Sequence, residues 1–323
     1  MRLKKPAWHR STIAIAAALN LFACASVAHA AASVTVLADT SSASATAMVQ
    51  TLLSASSGLS VIAGSAQYLG AATAAGTFNQ GGTDPTTGIG IDSGVVLSTG
   101  DARFIGSSAA FADDWANKSG TFTAGVGNAL ASNSSAGSAL FGALTPFATQ
   151  NASVLSFQFV PQHSTLTLSL VFASEDYNEL VNSGFPTDVF GVFINGINQA
   201  LVPGTNLAIS ASTIHCGGPT SGAATGIGGQ HCDLYRDNAP FLGSIESELN
   251  GFTVVLDLAM QVNVGQVNSI SIGVADTLDD VGDSAQLLRA GSVAAVPEPS
   301  SWALMLGGLV ACAAGVLRRK RSG

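Results

Sequence analysis

An alternation of apolar and polar residues, recurring in separate runs along the second half of the chain, most limits what this sequence can fold into. Leu155, Phe157 and Phe159 alternate with Ser156 and Gln158, and Leu166, Leu168, Leu170 and Phe172 alternate with Thr165, Thr167 and Ser169. Later, Phe252, Val254, Leu256 and Leu258 alternate with Thr253 and Asp257, and Ile270, Ile272 and Val274 with Ser269 and Ser271. A period of two sends successive side chains to opposite faces, so each run predicts a strand packed on one side and solvated on the other. Gly94 to Gly100 reads as a buried strand, an apolar run covers Val189 to Ile194, and a last strand covers Ala285 to Ala290. Asn195-Gly196 is a strong hairpin turn because both positions tolerate positive φ, which predicts an antiparallel return over Gln199 to Val202. One soluble helix is expected from Ala43 to Leu53, where Ala45, Met48, Val49, Leu52 and Leu53 recur at three-and-four spacing. Asp101 to Thr149 has little periodicity and reads as surface loops. The expected class is all-β: an antiparallel β-sandwich of jelly-roll type with one short N-terminal helix. A closed barrel would satisfy the same pattern.

The two ends of the chain read as delivery signals. Arg2, Lys4, Lys5 and Arg10 precede an apolar stretch from Ile13 to Ala23, and Ala28-His29-Ala30 fits the small-x-small rule, so residues 1–30 are expected to be a signal peptide removed by signal peptidase. At the other end, Val296-Pro297-Glu298-Pro299 leads into an apolar run from Ser301 to Leu317, followed by Arg318, Arg319, Lys320 and Arg321. Seventeen residues at about 1.5 Å each give a helix of roughly 26 Å, just long enough to cross a bilayer core. The basic cluster would keep that end cytoplasmic and place the preceding domain outside. This segment, 296–323, resembles the PEP-CTERM sorting tail of Gram-negative bacteria. The resemblance implies recognition by an exosortase, an inner-membrane intermediate, and a product at the cell surface or in the extracellular matrix.

Between these ends, residues 31–295 are expected to form one β domain. Eight of the twelve Lys and Arg lie in the two terminal segments, leaving Arg103, Lys118, Arg236 and Arg289 against nineteen acidic residues, a net charge near −15. Such a surface repels phosphate backbones, which excludes nucleic acid as a partner. Two cysteines remain, Cys216 and Cys232, and an oxidising compartment favours a disulfide between them. Each follows a histidine, His215 and His231, so a zinc site of two Cys and two His is the competing reading, with adjacent ligands straining the tetrahedron.

Acidic residues gather at predicted strand ends. Glu175 and Asp176 follow the Leu166–Phe172 run, with Glu179 and Asp188 beyond; Asp276, Asp279, Asp280 and Asp283 follow the run ending at Val274. If those two strands are neighbours, carboxylates from two loops converge at one rim, and Glu175, Asp176, Asp188, Asp276, Asp280 and Asp283 become candidate calcium ligands, oxygen donors suited to a hard ion. The bland alternative is solvated turn residues. No D-x-D-x-D-G loop is present. A catalytic reading finds little support: there is no G-x-S-x-G, no Ser-His-Asp set can be placed, and glycoside hydrolysis would need an aromatic complement that scattered tyrosines do not supply. No enzyme activity is expected, and no cofactor beyond calcium.

One ordered series of motifs carries a second resemblance. Gly94 to Gly100 (GVVLSTG), Ala152 to Pro161 (ASVLSFQFVP), FASEDY at 172–177, DVFGVFING at 188–196, ALVPGTN at 200–206, Tyr235-Arg236-Asp237-Asn238, GFTVVL at 251–256 and ADTLDDVGDSAQLL at 275–288 are similar to the choice-of-anchor L domain. The likeness spans roughly Ala43 to Ser292 and implies an exported, β-rich surface domain without naming a ligand. Asn151 stands where that family usually has Asp, Gln158 replaces an acid, and Val264-Gly265 lacks the usual Pro-Gly. The functional expectation is a non-enzymatic surface or matrix protein of the exopolysaccharide or biofilm layer. The alternative is a calcium-dependent carbohydrate-binding or adhesin module meeting a surface glycan.

Overall fold

The computed structural model describes residues 32–106, 133, 135–220, 222–239, 244–247 and 249–297. The expected signal peptide, the membrane helix expected over Ser301–Leu317, Glu298, Pro299, Trp115 and Lys118 lie outside the described residues. Among the described residues no helix is long and apolar enough to cross a membrane.

In chain order the elements are β1 (Ser33–Val36), α1 (Ser42–Leu52), β2 (Leu59–Val61), β3 (Gln67–Leu69), β4 (Ala75–Asn79), β5 (Gly94–Ser98), β6 (Thr149–Pro161), β7 (Thr165–Ser174), β8 (Val189–Ile194), β9 (Ile197–Asn198), β10 (Tyr235–Asp237), β11 (Gly251–Thr253), β12 (Leu256–Gln261), β13 (Asn268–Thr277), β14 (Ser284–Arg289) and β15 (Ala294–Val296). They form two antiparallel sheets. One runs β1-β4-β5-β14-β7-β11-β10, with β12 and β15 also paired to β7; the other runs β2-β6-β13-β8-β9, with β3 also on β6. The protein is thus mostly antiparallel β-sheet, as the alternation predicts.

The alternation also explains the core. Leu166, Leu168, Leu170 and Phe172 of β7 share one buried cluster with Leu155, Phe157 and Phe159 of β6 and with Ile270, Ile272 and Val274 of β13, so the two sheets bury their apolar faces together. The opposite face of β7 is also covered: Val171 and Ala173 pack with Phe252, Leu287, Val96 and Phe78. β5 and β8 are buried along their whole length, in keeping with runs that show no polar phase. Helix α1 adds Ala45, Met48, Val49 and Leu52 to the shared core, and its N-cap Ser41 side chain accepts the Ser44 N–H.

Three local departures have physical causes. Asn195 and Gly196 take φ of 51° and 81° as expected, but the paired return is Ile197–Asn198; the Gln199 N–H still donates to Val192 O, and Asn198 Oδ1 takes the Val192 and Ala200 N–H groups in place of further ladder bonds. The Phe252–Leu258 alternation breaks in two. Phe252 pairs with Ala173 whereas Leu256 pairs with Leu170, a slip of one residue that turns Phe252 to one face of the sheet and Leu256 to the other. The Thr253 hydroxyl covers the gap by accepting the Phe172 N–H at 3.0 Å. The third departure lies in β6: between the pairs Ser153–Val274 and Gln150–Asp276, two residues of β6 face one of β13, and Asn151 adopts φ 51° in this bulge.

The last strand is pinned from both sides. Val296 pairs with Thr165 and Ala295 with Leu166, while the Ala295 N–H donates to Ser57 O and the Val293 N–H to Leu52 O. The chain therefore stays inside the sheet up to the first residue of the Val296-Pro297 motif.

Candidate functional site

The acidic residues predicted at strand ends do converge, though by another route than neighbouring strands. β7 and β13 lie in different sheets, and the carboxylates meet across the end where the two sheets come together. Asp176, just past β7, accepts the Asp188 N–H on Oδ2 at 2.7 Å. Asp188, just before β8, accepts the Thr277 N–H on Oδ1 at 3.1 Å and the Ser284 hydroxyl on Oδ2 at 2.7 Å. Ser284 Oγ in turn lies 2.8 Å from Ser174 Oγ, so one serine of β14 links two strands of one sheet to the carboxylate that leads into the other. Asp276 Oδ2 accepts from Asn151 Nδ2 at 2.7 Å, a contact made possible by the β6 bulge. The Asp283 carboxylate accepts from the Thr99 hydroxyl at 3.3 Å, and Asp283 O accepts the Glu175 N–H.

Glu175, Asp176, Asp188, Asp276 and Asp283 are all buried, which removes the solvated-turn reading for these five. Asp280 is half-buried on the turn after β13, apart from these contacts, and its neighbour Asp279 is exposed. None of the three described arginines neutralises the cluster: Arg103 pairs with Asp101, Arg236 is held by carbonyls, and Arg289 ends β14 at the opposite side. Burial pushes Asp176 up to about 8, reinforced by the charges of Asp279, Asp283 and Glu179 against the restoring Asp188 N–H. Burial likewise raises Asp188 well above the usual carboxylate range, with Asp176 and Asp276 adding to it, and raises Asp276, with Asp283 adding to it. The Thr99 hydroxyl and Asn151 partly offset the rise at Asp276, whose Oδ1 makes no well-formed hydrogen bond.

Beside this cluster, Asp176, Asp188, Thr277, Asp279 and the exposed Phe185 line a cavity of about 40 Å³. The Thr277 Oγ1 is buried without a hydrogen-bond partner. Among the described residues no three His, Cys, Asp or Glu side chains stand at metal-holding spacing as placed. Sequence reasoning named the acids but missed Thr277, Ser284, Thr99 and Asn151, neutral residues whose relevance comes only from which sheet ends meet.

Cys216 and Cys232 are joined in a disulfide, which leaves no thiolate pair for zinc. His215 is buried with Nδ1 accepting the Gly217 N–H, and His231 Nδ1 pairs with Thr213 O. Among the described residues no hydrogen bond joins a histidine to a Ser, Asp or Glu side chain. Tyr68, Tyr177 and Tyr235 are all buried.

The described residues thus form an antiparallel β domain with buried acids gathered at one end of its sheets, and its final strand reaches Val296, the first residue of the Val296-Pro297-Glu298-Pro299 motif. The chain belongs to the choice-of-anchor L domain family, which it matches over residues 35–294. Residues 295–321 match the PEP-CTERM protein-sorting motif, which implies processing by an exosortase and export to the cell surface of a Gram-negative bacterium. No curated protein and no solved structure matches the chain.

Proposed function

We propose that the chain is a non-enzymatic structural protein of the cell surface or exopolysaccharide matrix. In this reading it leaves the cytoplasm through a signal peptide cut after Ala30 by signal peptidase. The Ser301–Leu317 helix then holds it in the inner membrane until an exosortase cuts near Val296-Pro297-Glu298-Pro299. The two sheets are read as a sandwich of jelly-roll type, a stiff body suited to adhesion or matrix architecture. The observation that carries the reading is the junction at Val296, where a paired strand passes into the sorting motif with no intervening linker.

The non-enzymatic reading rests on the family match; beside it, five of the acids are buried together, and His215 and His231 bond to backbone groups. The glycan-binding alternative needs an exposed aromatic platform. With the three tyrosines buried, the exposed aromatic rings among the described residues are Phe147 and Phe185, 46% and 66% exposed, and a glycan array run with calcium tests the alternative directly. The sorting reading is tested by fractionating cells with and without the exosortase and measuring the mass of the mature chain. Loss of the tail at the surface in the first strain, and an uncut membrane-held form in the second, are expected. A full-length cytosolic chain with both ends intact would refute the proposal.

A further inference from the structure

The cavity at the sheet junction is bounded by oxygen donors that the fold leaves incompletely used. Of the two oxygens of Asp176, the described hydrogen bond uses Oδ2. The Thr277 hydroxyl, on a residue only 3% exposed, has no partner at all although it belongs to the cavity wall. A buried hydroxyl without a hydrogen bond is costly, and a native fold keeps one where some other group satisfies it. The cavity's 40 Å³ suits a guest no larger than one or two water-sized bodies. Three carboxyl groups line it, the buried Asp176 and Asp188 and the exposed Asp279, with no described arginine among the lining residues, which gives it the charge of a cation site.

We infer that this cavity binds one divalent cation of the calcium class, taken by Asp176, Asp188 and the Thr277 hydroxyl from inside and by Asp279 from the rim. Behind them Asp283 accepts from the Thr99 hydroxyl, which accepts the Ser284 N–H, and the Ser284 hydroxyl donates to Asp188, so a second row holds that inner carboxylate in place. Calcium fits better than magnesium because the donors come from a strand end and two loops. A flexible six-to-eight oxygen shell accepts such a set, whereas a strict octahedron does not. As placed, the carboxylates do not stand at metal-holding spacing, so binding requires the exposed Asp279 side chain to turn inward. An ion there ties β7, β8 and β13 together, so it acts as a cross-brace between the two sheets. The inference refines the sequence-derived set: Asp279 replaces Asp280, and a threonine joins the acids. It stands apart from the sorting proposal, since cell fractionation would come out the same whether or not the ion binds.

The test uses the full chain purified in detergent, stripped with EGTA and titrated with calcium chloride at pH 7.5. Saturable heat by calorimetry is expected, together with a melting temperature raised by about 5–10 °C at a hundredfold excess over the dissociation constant. Asp279→Asn should weaken calcium affinity at least tenfold. Thr277→Val should also weaken it, yet in EGTA it should melt no lower than the parent protein, because it removes a hydroxyl that has no partner. No calcium-dependent shift up to 10 mM overturns the site. A shift that both variants retain at unchanged affinity overturns its location. The same variants discriminate against a merely structural role, which would lower the melting temperature in EGTA and leave calcium affinity alone.

Discussion

Arg236 gives the sharpest test of how this fold is held, because its charge is satisfied entirely by backbone. Its guanidinium donates to Thr253 O from Nε and Nη2 at 3.1 and 3.0 Å, to Pro85 O and Gly88 O from Nη1 at 3.1 and 2.8 Å, and to Ile89 O from Nη2 at 2.6 Å. It also lies 5.6 Å from the centre of the Phe252 ring. One side chain on β10 thereby straps the 80–92 loop to the end of β11. Burial lowers its pKa to about 10, so it remains charged at neutral pH. Arg236→Met keeps the packing of the stem and removes every donor. Gly88, Ile89 and Thr253 are buried, and stranding three carbonyls at roughly 1 kcal/mol each, with the cation–π contact added, predicts a loss of about 3–5 kcal/mol. Arg236→Lys supplies a point charge where a planar fork is needed and should recover about half of that. Urea unfolding followed by circular dichroism reads the global loss. Native-state hydrogen exchange should show faster exchange at the Ile89 and Gly90 amides, which close the loop onto Gly81 and Gly82. A loss below about 1 kcal/mol in Arg236→Met, with unchanged exchange at those amides, would refute the strap.

Reducing Cys216–Cys232, which closes a loop of sequence separation 16, should cost about 3 kcal/mol and add the mass of two hydrogens; two titratable thiols in the native protein would contradict it. Gly94→Ala places a Cβ 1.8 Å from Leu288 O inside the β5–β14 ladder and should cost several kcal/mol, whereas Gly196→Ala, at φ 81° with open space around it, should cost only about 1. Equal melting temperatures for these two variants would go against the pairing of β5 with β14. In EGTA, stability should fall as pH rises from about 4 towards 8. Asp176, Asp188 and Asp276 have folded pKa values above their unfolded ones, so the folded state holds more protons in that window and loses its advantage as they ionise. Urea midpoints that rise across the same range would reverse the sign and remove the argument.

The elements legible in the sequence are those whose environment differs between two faces. β6, β7 and β13 alternate because one side meets the shared core, and α1 shows its three-and-four spacing because Ala45, Met48, Val49 and Leu52 all point inward. β1, β3 and β4 were not legible. They are short, lie among Gly, Thr and Ala, and owe their pairing to partners far along the chain. The face reversal at Val254–Val255 was hidden for a related reason: the even positions stay apolar on both sides of the slip because both faces of that sheet are covered. At the site, the carboxylates were visible as residue types and as strand ends. Their convergence depends on how two sheets abut, and the choice of Asp279 over Asp280 depends on the path of a single turn, neither of which leaves a periodic trace.

The pinned final strand also limits how far the body can stand from its tail. From Val296 to Ser301 there are five residues, at most about 18 Å of extended chain, so a membrane segment beginning at Ser301, as proposed, would leave the Thr165 end of β7 close to the headgroups. From there β7 runs for nine residue steps, about 30 Å, and the acidic junction lies at its other end. On the proposed sorting reading, an exosortase cutting near Val296-Pro297-Glu298-Pro299 would therefore work beside a finished fold, with the acidic end of β7 far from the cut.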